Sequence, residues 1–195
     1  VGRQLPLIVV SPQPWFPFQG LLQSIRPHFR PSAPHHEIQD GIEVFFPRFF
    51  SVPGLFKSFD GLFMALGSLF LLRRLKQRFD FDLIDAHFAY PDGYAAALLG
   101  KWLQVPVTIT LRGTEVPLSC IKGRRQLIIK ALQLATRIFS VSASLKQHVV
   151  DMGIAASKIR VVGNGVDTTK FQCINKDEAR NKLGLPPDMP VLISV

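Results

Sequence analysis

A chain of 195 residues with 47% hydrophobic and 19% charged residues carries enough apolar material for one domain, or one domain plus a fragment, and is not disordered as a whole. The net charge of +9 points to an anionic partner such as phosphate, a phospholipid surface or nucleic acid, but its cations are scattered apart from Arg73, Arg74, Lys76 and Arg78 and a smaller group at Lys122, Arg124 and Arg125. Neither group is interleaved with aromatics and no helix-turn-helix or zinc-finger spacing occurs, so nucleic acid is not expected as a partner, and two cysteines without paired spacing (Cys120, Cys173) fit a reducing cytoplasm better than a disulfide scaffold.

In chain order, Leu5–Val10 reads as a strand with no signal-peptide pattern around it, and Ile42–Phe46 as another. Between them lies a proline-rich connection holding Pro12, Pro14, Trp15, Phe16, Pro17, Phe18, Pro27, Pro31 and Pro34, long enough to suggest a functional or flexible loop. His35 and His36 sit adjacent on that loop without a third ligand, so no metal site is expected. Phe59–Arg78 reads as a helix. Its apolar run, Gly61 to Leu72, is about half of what a bilayer span requires, which leaves a core helix with a solvated basic end or a helix resting on anionic membrane.

From residue 80 onward strands and helices alternate. Asp82–His87 is a strand and Asp92–Leu103 an alanine-rich helix. Val105–Leu111 is a strand, Arg124–Ala135 a helix, Arg137–Val141 a strand, Ser144–Met152 a helix and Lys158–Val162 a strand. This alternation predicts an α/β fold, a Rossmann-like parallel sheet with helices on both faces. A short helix at Asp177–Leu183, ended by Gly184-Leu185-Pro186-Pro187, precedes a last strand, Pro190–Val195, with no crossover after it.

Ligands of open parallel sheets sit beyond the carboxyl ends of the strands. His87, Arg112 and Ser142 fall at or just past such ends and are expected to share one cleft. His87 can donate a hydrogen bond or a proton near neutral pH, or be a buried histidine satisfied by backbone. Asp92 suits a helix N-cap, and Ser142, with Ser144, either caps its helix or brings hydroxyls to the cleft. Arg112 stays protonated and cannot serve as a base; it can hold a phosphate or carboxylate, with Glu115 orienting it, or form a plain salt bridge to Glu115. Asn164-Gly165 is a left-handed turn signal, closed by Asp167.

Three segments carry a resemblance. They are Asp82-Leu83-Ile84-Asp85-Ala86-His87 followed by Tyr90-Pro91-Asp92-Gly93, then Pro106–Glu115 with Arg112-Gly113-Thr114-Glu115, then Lys158–Asp167 with Phe171 beyond. In order and spacing they resemble the amino-terminal half of group 1 (family 4-like) retaining glycosyltransferases, sugar-nucleotide enzymes of the two-domain GT-B fold. The resemblance implies an acceptor-side domain over residues 1–172, a linker with a short helix over 173–189, and at 190–195 the first strand of a carboxy-terminal domain that binds the nucleotide sugar and carries a Glu-x7-Glu element. It implies His87 and Arg112 as catalytic residues and Gly113, Glu115, Ser142, Asn164, Gly165 and Asp167 as substrate-binding ones. Where this family commonly has a His-Gly pair after the strand, the chain has Arg112-Gly113.

The family also opens on a strand and glycine-rich loop that are not found ahead of Leu5–Val10, so the half is expected to be truncated at both ends and inactive alone. The intact enzyme is expected to move a sugar, with retention, from a nucleotide-sugar donor to a glycan or lipid-linked acceptor in the cytoplasm or peripherally at the inner face of the membrane, without metal or other cofactor. Two rivals remain: a sugar-nucleotide epimerase of the same architecture, and a non-catalytic module binding membrane or anion through the 60–78 helix.

Overall fold

The computed structural model describes residues 5–17, 19–20, 24 and 33–192. The chain divides into two compact units, Val1–Gly163 and Asn164–Val195.

The first unit opens with two parallel strand pairs. β1 (Ile8–Val10) pairs with β4 (Ile42–Phe45), and β2 (Gln13–Trp15) with β5 (Arg48–Phe50). Ile8 faces Glu43 and Gln13 faces Arg48, so one register runs through both pairs. The ladder is interrupted where Pro12 and Pro47, which have no N–H to give, stand between the pairs. Ser11 N–H to the Phe45 carbonyl and Gln13 N–H to the Pro47 carbonyl, both 2.8 Å, carry the pairing across the gap.

Part of the expected long loop is a strand. β3 (His36–Gln39) folds back on β4 as an antiparallel hairpin, with Gln39 opposite Ile42. Asp40 and Gly41 both have positive φ, 49° and 81°, which is the two-residue turn that an Asp-Gly pair favours. His36 therefore lies in a strand, its ring tilted by 33° against that of Phe45 at 4.5 Å between centroids, and not on a loop. Phe18, Pro27 and Pro31 fall outside the described residues.

A 20-residue helix, α1 (Asp60–Phe79), leads to β6 (Ile84–His87) and a single wide turn, Ala89–Gly93. Then come α2 (Tyr94–Leu103), β7 (Val107–Leu111), a short α3 (Glu115–Ser119), α4 (Lys122–Leu134), β8 (Arg137–Ser140), α5 (Ala143–Asp151) and β9 (Ile159–Val161). β6, β7, β8 and β9 form a four-stranded sheet in that order, parallel throughout. The expected α/β alternation is the one observed. From β6 to β9 the strand ends fall within two residues of those expected, and α3 is an addition to the pattern.

α2 is apolar almost all round, with Tyr94, Ala95, Ala96, Ala97, Leu99 and Gly100 buried, as a helix enclosed on several sides requires. Ala95 and Leu99 pack with Met64, Ala65 and Leu72 of α1 and with Phe49, while Ala96 and Tyr94 pack with Ile109, Ile128, Ala131 and Ile138 of the main core. Small side chains let neighbours approach closely. A methyl group on Gly100 would meet Val107 Cγ2 at 2.2 Å and the Val105 carbonyl oxygen at 2.7 Å. Tyr90 ties the wide turn to the start of α1: its hydroxyl donates to the Lys57 carbonyl at 2.6 Å and accepts from Gly61 N–H at 3.4 Å.

In the second unit, α6 (Lys176–Leu183) is capped by Asn175, whose side chain accepts from Asp177 N–H at 2.8 Å, and ends on Gly184 with φ 65°. The strand expected over Pro190–Val195 is not formed at residues 190–192; residues 193–195 lie outside those described.

Candidate functional site

Parallel pairing places the ends of β6, β7 and β8 side by side. His87 is level with Thr110, and Leu111 with Ser140. The chain leaves each strand at the same sheet edge, into the segments holding Ala89–Gly93, Arg112-Gly113 and Val141-Ser142. His87, Arg112 and Ser142 thus gather at one edge.

Arg112 reaches across to His87. Its Nε and Nη2 stand 3.2 and 3.0 Å from His87 Nδ1. A guanidinium only donates, so Nδ1 must accept, and the ring proton belongs on Nε2. Nε2 is 3.5 Å from a carboxylate oxygen of Asp85, whose other oxygen accepts from the Thr108 hydroxyl. Thr108, Asp85, His87 and Arg112 form one chain of polar contacts. Asp85 and Thr108 are not among the site residues expected from the sequence, yet strand periodicity carries the signal for Asp85. Residues two apart on a strand share a face, which puts Asp85 beside His87, and Asp85 is the register partner of Thr108.

Glu115 has a different place from the one expected. It is fully buried, one carboxylate oxygen accepting from Ala89 N–H at 2.9 Å and the other from Gly113 N–H at 2.8 Å. A buried carboxylate needs such donors, and here they come from the segments after β6 and β7. Glu115 clamps these two segments together and has no surface to offer a substrate. Gly113, with φ 113° and its amide committed to Glu115, shapes the same corner.

Ser142 is the N-cap of α5, accepting from Leu145 N–H at 3.2 Å, and its hydroxyl lies 3.1 Å from that of Ser144. Arg112, Gly113, Val116, Val141, Ser142, Ser144 and Leu145 line an open hollow of about 290 Å³. One cation, two hydroxyls and the amino end of a nine-residue helix suit this hollow to an anionic group.

Asp92 is not an N-cap. Gly93 holds that position, with no side-chain cap bond. Burial pushes the Asp92 carboxyl above the usual carboxylate range, against smaller opposing effects of its own backbone N–H and of His87. Asn164, Gly165 and Asp167 belong to the second unit. Neither Asn164 nor Gly165 adopts the expected left-handed conformation. Asp167 does not close a turn at Asn164-Gly165 but opens the one after it: one carboxylate oxygen accepts from Thr169 Oγ1 at 2.6 Å and Thr169 N–H at 2.9 Å, which lowers its pKa.

The sequence profile of Glycosyltransferase Family 4 matches residues 24–170, which span every residue of this edge. The chain belongs to that family. A relative from Bacillus subtilis (strain 168), named "Putative teichuronic acid biosynthesis glycosyltransferase TuaC", is 30% identical over 198 residues, covering 98% of this chain and 49% of its own length. This family 4 chain therefore spans about half the length of the curated relative it matches. Among solved structures, Anabaena Alr3699/HepE in complex with UDP and glucose superposes with a TM-score of 0.52 at 16% identity, over 74% of this chain and 38% of its own. A second HepE structure, with UDP, superposes at 0.51 and 17% identity over 71% and 36%. At such identities the likeness concerns the fold, a GT-B one.

Proposed function

We propose that this family 4 chain is the acceptor-side domain of a retaining glycosyltransferase that moves a sugar from a nucleotide-sugar donor to a glycan or lipid-linked acceptor. The observation carrying the reading is the Arg112–His87 contact over the sheet edge, beside a hollow suited to an anion. Arg112 holds a phosphate or carboxylate of the substrate. His87 lends a hydrogen bond from Nε2 to an acceptor hydroxyl, steadied by Asp85. Nδ1 is taken up as the acceptor for Arg112, so Nε2 is the ring nitrogen left to face the substrate.

The relative's name speaks of the biosynthesis of an acid, teichuronic acid, and the HepE structures are complexes with UDP. An acidic glycan acceptor and a UDP-sugar donor fit the cationic character of this edge. Positive charge at the departing phosphate lowers the barrier to an oxocarbenium-like transition state. No step in this scheme requires a metal. The domain covers residues 1–172 and the linker 173–189, and the donor is held chiefly by a further domain, a reading supported by the span of about half the relative's length. Asn164, Gly165 and Asp167 are assigned to substrate contact on the Lys158–Asp167 motif alone. Transfer is assigned to the cytoplasm on two cysteines without paired spacing, Cys120 and Cys173.

The test is product analysis of the intact enzyme with a panel of UDP-sugars and acidic oligosaccharide acceptors. Transfer with the donor's anomeric configuration kept is expected. Isomerised nucleotide sugar with no acceptor consumed would overturn the reading.

A further inference from the structure

α1 has two contrasting faces. One buries Met64, Ala65, Ser68, Leu72 and Leu75. On the other, Leu66 is 53% and Phe70 72% exposed, and Phe59, just before the helix, is 51% exposed. These positions are spaced by seven and four residues, so they line one stripe, and half-buried Phe63 fills the step between them by stacking on Phe59 at 6.1 Å. The stripe continues onto the first sheet. Phe50 meets Phe63 edge-on at 5.5 Å, and its register partner Trp15 is also exposed.

The next turns of the same face are cationic. Arg73 and Arg74 follow Phe70 by three and four residues, and the Arg74 guanidinium lies 5.9 Å from the Phe70 ring centroid. Other cations of the helix are already neutralised, Lys76 by Asp80 and Arg78 by Glu43. No carboxylate among the described residues pairs with Arg73 or Arg74.

We propose that this face of α1 docks the protein on a membrane of anionic phospholipid. Aromatic rings settle at headgroup depth, and arginines at the end of the stripe reach the lipid phosphates while their stems stay on apolar surface. A net charge of +9 adds attraction to the same surface. Docking is lateral, since no helix of the described residues is long and apolar enough to cross a membrane. This face is remote in role from the Arg112 edge, and its test does not depend on sugar transfer.

The test is co-sedimentation of the 195-residue chain with phosphatidylcholine vesicles, either pure or with about one-third phosphatidylglycerol. Binding is expected to the anionic vesicles only, and to fall with added salt. Arg73→Gln with Arg74→Gln is expected to weaken it about 25-fold, at about fivefold per arginine. Phe70→Ser with Leu66→Ser is expected to weaken it at least about tenfold. Both pairs lie on exposed positions, and unchanged thermal melts will show the fold intact. Absence of binding to anionic vesicles, equal binding to neutral ones, or binding indifferent to either pair of substitutions would overturn the proposal.

Discussion

Arg112 donates through Nε and Nη2 to the same atom, Nδ1 of His87, across the ends of two neighbouring parallel strands. The contact fixes both the ring tautomer and the direction of the guanidinium. In the intact enzyme, Arg112→Gln keeps much of the volume and removes the charge. It should lower kcat/KM about 100-fold, and Arg112→Lys should recover only part of that because a point charge cannot reproduce the guanidinium geometry. Initial-rate kinetics decide the matter, and unaltered turnover in Arg112→Gln would remove Arg112 from the mechanism.

Glu115→Gln tests the clamp. An amide offers one acceptor oxygen to two buried N–H donors, at Ala89 and Gly113, and turns its own N–H bonds toward one of them. A loss of about 1–3 kcal/mol is expected in urea unfolding, with Glu115→Ala at least as costly. If Glu115→Gln unfolds at the wild-type midpoint, the two segments are held by something else.

Asp92 supplies a pH dependence. Because burial raises its pKa in the folded state, the folded chain holds this proton more tightly than the unfolded chain does. The stabilising effect is complete below the ordinary carboxylate range and disappears as pH rises through the raised value. Asp92→Asn cannot ionise, so its melting temperature should gain on that of the wild type between pH 4 and pH 7. A gap that stays constant over this range would refute the assignment.

Gly100→Ala places a methyl group within 2.2 Å of Val107 Cγ2 and 2.7 Å of a carbonyl oxygen. Helix propensity alone favours alanine by about 1 kcal/mol, but overpacking at the α2–β7 contact costs about 1–3 kcal/mol or more. A net loss of stability is expected in denaturant melts; a net gain would mean that α2 can shift away from the sheet.

Much of the second half of the first unit is legible in the sequence. From β6 to β9 the alternation of short β-branched runs with helical patterns follows directly from periodicity, and strand ends then locate His87, Arg112 and Ser142. The first fifty residues are less so. Pro12 and Pro47 cut one parallel ladder into pieces too short to show a period, and the Asp40-Gly41 turn, although Asp-Gly is a strong hairpin signal, joins strands of only four residues.

Residue identities alone determined that a cation, and not a base, stands after β7, and that three strand ends share an edge. Only tertiary structure could decide who meets whom there. Arg112 and Glu115 are three residues apart, and a salt bridge between them was one reading. The backbone instead leads Arg112 toward His87, 25 residues away, and turns Glu115 inward to Ala89, 26 residues away. Local spacing sets which faces residues occupy, whereas partners across strands depend on register and on burial, which arise only when the sheet closes.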